Sequence, residues 1–112
     1  MERRQSGRIS VDIPLTFSDG IIKVQGMSSD FSHEGLFIIT KKPFKAGTDI
    51  SMLLEVSAND KIYTLGKVIR VIQSGADNIK DGMGIKITRM TAAYQKFIRD
   101  LAYDKLAVDD SE

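Results

Sequence analysis

From Ile9 to Phe17 the apolar residues Ile9, Val11, Ile13, Leu15 and Phe17 take every odd position, with Ser10, Asp12, Pro14 and Thr16 between them. An α-helix cannot gather such residues on one face, because its side chains repeat every 3.6 residues. A strand can, because its side chains alternate between two faces. The segment therefore reads as a half-buried strand over Ile9–Phe17. Pro14 falls on the polar parity and lacks an N–H, which predicts an edge strand or a bulge. Ser18-Asp19-Gly20 follows as a turn in which Gly can take a positive φ, and Ile21–Met27 reads as the returning strand of a hairpin.

The same reading continues along the chain. Ser28–Gly35 is polar and is expected as a loop, followed by a strand over Leu36–Thr40 and a break at Lys41-Lys42-Pro43. Ile50, Met52, Leu54 and Val56 alternate, with Met52 as core filler, and Ser57–Asp60 turns the chain. Ile62–Ile72 is long enough to be a strand that bends at Gly66, where no Cβ obstructs a bulge. Gln73–Asp81 is a loop and Met83–Thr88 a last strand. Six strands joined by hairpin-length connections predict an all-β core, a six-stranded antiparallel β-barrel.

After Thr91 the period changes. Tyr94, Phe97, Ile98, Leu101, Ala102 and Lys105 follow helical spacing behind Thr91 as N-cap. The apolar stripe of this C-terminal helix is expected to close an open barrel end, since two aromatics left in water would be costly. A helix that binds a partner is the other reading. The expected organisation is an N-terminal arm at residues 1–8, a barrel over 9–90, a helix over 91–108 and an acidic tail at 109–112.

Composition bounds the function. A chain of 112 residues is expected to form one core. It has no Cys and a single His, His33, so thiolate metal sites and the usual imidazole chemistries lack their parts. No nucleophile–base pair can be assembled, and the expectation is a protein that is not an enzyme and needs no cofactor. No apolar run approaches the ~18 residues of a membrane span and the N-terminus has no signal-peptide pattern, so membrane insertion is not expected and a cytoplasmic location is. The net charge of +1 conceals an asymmetry. Residues 1–10 carry three Arg against one Glu, and residues 104–112 carry four acidic residues against Lys105.

Two clusters can carry chemistry. Arg4 and Arg8 form an R-x-x-x-R, with Arg3 beside it. With six Arg in the chain, chance supplies about 0.3 copies of that pattern, so a solvated basic terminus explains it equally well. Asp30-Phe31-Ser32-His33-Glu34-Gly35 is a D-x-S-x-x-G, for which chance supplies only about 0.08 copies. Its plain structural explanation is an Asx- or Ser-turn ending in a Gly that permits positive φ. The two sets of groups are complementary. A guanidinium fork matches guanine O6/N7 or a phosphate and stacks on a purine, while the Asp30 carboxylate accepts from the N–H donors on the other edge of guanine. Ser32 and the turn N–H groups can donate to phosphate. His33 and Glu34 are the variable pair of the motif and are assigned no catalytic role.

In this order, and with Arg8 and Asp30 22 positions apart, the two motifs resemble the signature of the PilZ domain family, bacterial receptors for cyclic di-GMP. Gly66-Lys67-Val68-Ile69-Arg70 looks like the family's glycine-containing fifth strand, and Gly82-Met83-Gly84-Ile85-Lys86-Ile87 like its closing strand. The resemblance covers about Arg3 to Ile87, and the helix fits the family's usual end. It implies a PilZ-like split barrel and a ligand site. Arg4 and Arg8 would contact guanine edges and phosphates, Asp30 the guanine Watson–Crick edge, Ser32 a phosphate- or ribose-proximal oxygen, and Gly35 a close backbone approach. Arg70 stands where the family often has Trp, and either stacks on a base or is a solvated strand residue. Arg3 is a further candidate, linked in some members to two stacked ligands per site.

Ordering residues 2–8 would cost up to roughly 7–14 kcal/mol if the arm began fully free, against ~1.5–3 kcal/mol returned by one charge-assisted hydrogen bond. The resemblance therefore implies an arm that folds only when guanidinium forks, stacking and Asp30 act together, changing the surface shown to an unidentified effector protein. The expected assembly is a monomer or weak homodimer. The alternative is a ligand-independent PilZ-type protein–protein adaptor, although adaptor members typically lose the arginines kept here. A nucleic-acid-binding barrel is disfavoured by the near-zero net charge, 7% aromatics and lack of a basic–aromatic stripe.

Overall fold

The computed structural model describes residues 9–74 and 80–110. Six strands and a helix follow in order: β1 (Ile13–Ser18), β2 (Lys23–Ser29), β3 (Gly35–Ile39), β4 (Asp49–Ser57), β5 (Asp60–Ile72), β6 (Gly82–Arg89) and α1 (Ala92–Asp110). The strands close a barrel in the order β1-β2-β3-β6-β5-β4, every pair antiparallel. The β2–β3 seam is the shortest, with three residue pairs. This is the six-stranded antiparallel barrel with one C-terminal helix that the alternation and the later change of period predict.

One parity of each strand fills the barrel. Leu15 and Phe17 of β1, Ile38 of β3, Met52 and Leu54 of β4, Val68 of β5, and Met83 and Ile85 of β6 are all nearly inaccessible to solvent. Each such side chain, moved out of water, contributes roughly 1.5–3 kcal/mol, which is why the alternating pattern selects this closed ring. The Leu65/Gly66 register shift confirms the bend expected at Gly66, where a Cβ would meet the Lys86 carbonyl at 2.8 Å.

Because the strands alternate in direction, the β2–β3 and β4–β5 connections and the passage into α1 share one end of the barrel. The helix starts there as its cap predicts: Thr91 Oγ1 accepts from the Tyr94 N–H at 3.1 Å and donates to the Tyr63 carbonyl, also at 3.1 Å. Tyr94 and Ile98 are buried, and the Phe97 ring meets Phe31 edge to face at 5.4 Å. Core packing, the first of the two helix readings, accounts for the stripe.

Several boundaries differ from the sequence reading, each for a local reason. The strand expected over Ile9–Phe17 is divided: Ile9 forms an isolated bridge with Phe31, and β1 begins at Ile13. β1 is not an edge, since the ring has none. Pro14 pairs with Met27 of β2 and lies one residue before the β4 ladder begins at Leu15, so its missing N–H interrupts nothing there. Ser28 and Ser29, expected in a loop, complete β2 and are buried. The Ser28 hydroxyl offsets its burial by donating to the Ile13 carbonyl at 2.7 Å. Ile21 and Ile22, expected in a strand, lie in the turn and are exposed. Asp19 Oδ1 accepts from both of their N–H groups at 2.9 Å, and that side-chain cap replaces the ladder. The helix extends through Asp109 and Asp110, which were expected in the tail.

Candidate functional site

Asp30 directly follows β2 and takes a left-handed φ of +53°. Asp tolerates this region better than most residues. The positive φ expected at Gly35 is therefore at the other end of the motif. From there the chain folds into a compact turn around Ser32. Its hydroxyl accepts from the Glu34 and Gly35 N–H groups at 3.2 Å each and donates to the Gly35 carbonyl at 3.3 Å, while the Ser32 N–H reaches the same carbonyl at 2.9 Å. The Ser32 side chain thus organises the turn from within, which is the structural explanation weighed for the motif.

Four neighbours, Ile9, Ser10, Ile87 and Tyr94, fix the turn to the rest of the fold. Ile9 and Phe31 exchange two backbone hydrogen bonds at 2.8 and 2.9 Å, and the Ser10 hydroxyl donates to Asp30 Oδ1 at 3.2 Å. The Glu34 carbonyl accepts from the Ile87 N–H at 2.8 Å. The buried Tyr94 hydroxyl donates to the Ser32 carbonyl at 2.9 Å, and burial holds its phenol pKa well above the usual value. Gly35 is required here, since a Cβ would overlap the Ile85 carbonyl on β6. The close backbone approach at Gly35 is thus made by a neighbouring strand.

A row of paired residues runs from this loop across the outer face of the barrel. Ser29 pairs with Phe37, Phe37 with Gly84, and Gly84 with Arg70. Three inter-strand steps span about 14 Å. Two of the row's side chains lie over glycine backbone. A Cβ on Gly84 would meet Arg70 Nε at 3.2 Å, and one on Gly82 would meet the Phe37 ring at 2.8 Å. Arg70 is exposed, and neither it nor Asp30 has an ion pair among the described residues. The bare backbone that Gly82 and Gly84 present beneath Phe37 and Arg70 is not apparent from composition. The same-face G-x-G of β6 is the signal that could have indicated it.

Arg3, Arg4 and Arg8 lie outside the described residues. The paired bridge brings Ile9, which directly follows Arg8 in the chain, against Phe31, which directly follows Asp30. His33 and Glu34 are exposed. Among the described residues no group of three or more His, Cys, Asp or Glu side chains could hold a metal ion, and no helix is long and apolar enough to cross a membrane. An open concavity of about 500 Å³ lined by Ser18, Asp49, Ser51, Leu65 and Arg89 lies elsewhere and contains none of the residues above.

The closed six-stranded barrel, its C-terminal helix and the hydrogen-bonded Asp30–Gly35 loop together define a small barrel domain. The PilZ domain family model matches residues 2–104, and the chain belongs to that family, one of binding domains and not of enzymes. Among solved structures, the inhibitor of motility MotI/DgrA of Bacillus subtilis matches with a TM-score of 0.75 and 16% identity, over 96% of this chain. The match spans 53%, about half, of that protein. The PilZ domain of YcgR from Escherichia coli, solved with cyclic di-GMP, matches with a TM-score of 0.68 and 9% identity, over 93% of each chain. At these identities the likeness is one of fold. A search of curated proteins found no match.

Proposed function

We propose that this protein is a non-enzymatic receptor for cyclic di-GMP, with Arg4, Arg8 and Asp30 as the principal ligand contacts. The observation that carries the reading is the Ile9–Phe31 bridge, which brings the root of the R-x-x-x-R arm beside the D-x-S-x-x-G loop although Arg8 and Asp30 are 22 positions apart. The guanidinium groups supply forked donors and stacking faces, and the Asp30 carboxylate supplies acceptors for the guanine N–H edge. Ser32 serves by shaping the turn, its hydroxyl engaging the Glu34 and Gly35 N–H groups, so that the arginines and the His33 N–H do the phosphate recognition. Arg70, at the far end of the outer-face row, is a second stacking surface, and Arg3 is an additional cation. The arm folding over the ligand changes the surface offered to an effector protein in the cytoplasm.

Titration calorimetry with cyclic di-GMP tests this reading. Micromolar binding to the wild type corresponds to about −8 kcal/mol. Arg8→Ala and Asp30→Ala are each expected to weaken it at least tenfold, given ~1.5–3 kcal/mol per charge-assisted hydrogen bond. No heat at tens of micromolar protein, or unchanged affinity in both variants, would overturn it. A ligand-independent complex with a partner protein, together with no nucleotide binding, would favour the adaptor reading.

A further inference from the structure

The D-x-S-x-x-G loop and the C-terminal helix are 62 residues apart at their closest tie, yet they share a buried polar contact and an aromatic one. The Tyr94 side chain is fully buried, and its hydroxyl reaches the Ser32 carbonyl at 2.9 Å. One residue before Ser32, Phe31 is also fully buried and takes the edge-to-face contact with Phe97, while its backbone pairs with Ile9. Phe97 in turn lies 6.2 Å from the Tyr94 ring. The Phe31–Ser32 dipeptide is therefore clasped by α1 on one side and by the root of the N-terminal arm on the other.

The polar contact has an orienting role that apolar packing cannot supply. The Ser32 carbonyl shares one peptide plane with the His33 N–H. Holding that oxygen toward the helix directs the N–H of the same plane the opposite way, because the two groups of a trans peptide are antiparallel. Tyr94 thus sets the direction of a loop donor without itself standing at the ligand. None of the loop's own hydrogen bonds among Ser32, Glu34 and Gly35 is made to the Ser32 carbonyl.

We propose that Tyr94 is a positioning residue for the Asp30–Gly35 loop, so that occupancy of the loop by the cyclic dinucleotide and docking of α1 on the barrel are energetically coupled. The ligand half of this inference rests on the receptor reading above. The coupling is reciprocal: whatever factor the docked helix adds to ligand affinity, bound ligand adds to helix docking. The element that reports an occupied loop is then α1, at the same end of the barrel.

Three measurements on the full chain test this. In calorimetry, Tyr94→Phe removes the donor and keeps the ring, and is expected to weaken cyclic di-GMP binding about tenfold, the factor that corresponds to one buried hydrogen bond. In wild-type protein carrying ¹³C-labelled tyrosine, the ring Cζ resonance of Tyr94 is expected to shift on titration with cyclic di-GMP while that of exposed Tyr63 does not. Without ligand, amide exchange at Ser32 and Gly35 is expected to be faster in Tyr94→Phe than in wild type, and unchanged in Gln95→Ala on the exposed side of α1. Equal affinities of wild type and Tyr94→Phe, or a static Tyr94 resonance in a saturated sample, overturn the coupling. Failure of the wild type to bind overturns the receptor reading and the ligand half with it. The exchange measurement then decides the positioning role alone, which falls if Ser32 and Gly35 exchange alike in the two proteins.

Discussion

Arg70 lies across the bare backbone of Gly84, its partner on the neighbouring strand, with Nε, Cγ and Cδ all within 4 Å of where a Cβ would stand. The nearest of these atoms would be 3.2 Å away and belongs to a flexible, exposed side chain. Gly84→Ala is therefore expected to change stability by no more than about 0.5 kcal/mol while lifting Arg70 from its bed. If Arg70 stacks on a base, Gly84→Ala lowers cyclic di-GMP affinity, and Gly84→Val lowers it further, as does Arg70→Ala. Calorimetry paired with urea midpoints checks this, and equal ligand affinity in all three variants would show Arg70 to be a solvated strand residue.

Gly35 is expected to behave oppositely. The atom that a Cβ would strike is the Ile85 carbonyl oxygen, part of the β3–β6 ladder, which cannot swing aside. Gly35→Ala should cost about 1–3 kcal/mol or more by forcing the strands apart. Urea denaturation should register this loss with or without ligand. A ligand-specific defect at unchanged stability would instead show that the close approach at Gly35 belongs to the nucleotide.

What could be read from the sequence was what local chemistry decides. The alternation through Leu15 and Phe17, the bend at Gly66 and the cap at Thr91 each depend on a few neighbouring residues, and each is found as expected. Ser28 and Ser29 have the polarity of a loop; what places them in β2 includes a carbonyl 15 residues away, at Ile13. Ile21 and Ile22 were read as strand because they are apolar, although Asp19 holds their N–H groups in a turn. The need for Gly at position 35 comes from Ile85, and the loop's tie to α1 comes from Tyr94, and no window of sequence contains either pair. The site motifs are legible as residue types, while Arg3, Arg4 and Arg8, the basic half of the proposed site, lie outside the described residues.

Asp19 makes the β1–β2 turn sensitive to acid. Its carboxylate accepts from the Ile22 and Ile21 N–H groups, which hold its pKa below the ordinary 3.8. A carboxyl whose folded pKa is depressed contributes stability that is present above its unfolded pKa and is lost as pH falls through the folded value. The turn is thus expected to be intact at neutral pH and to loosen below the unfolded value of about 3.8. Amide NMR should show the Ile21 and Ile22 resonances titrating together in that window. In Asp19→Ala these resonances should be displaced at every pH, whereas Asp19→Asn, which keeps one acceptor oxygen, should fall between.

Phe31 joins the loop to the barrel and the helix at once. It is fully buried, its ring meets Phe97 edge to face at 5.4 Å, and its backbone pairs with Ile9. Truncating a buried Phe to Ala costs about 3–5 kcal/mol through lost transfer energy and the cavity left behind. Phe31→Ala is therefore expected to lower the urea midpoint strongly and to increase amide exchange in α1 and at Ile9 more than in β4 and β5. Thr91→Ala provides the comparison, because it loosens the same helix from its other attachment. Loss of the cap and of the bond to the Tyr63 carbonyl should cost about 1 kcal/mol and fray the first turn of α1, leaving the Ile9–Phe31 bridge protected. Equal protection at Ile9 in wild type and Phe31→Ala would show that the arm root is held without the Phe31 side chain.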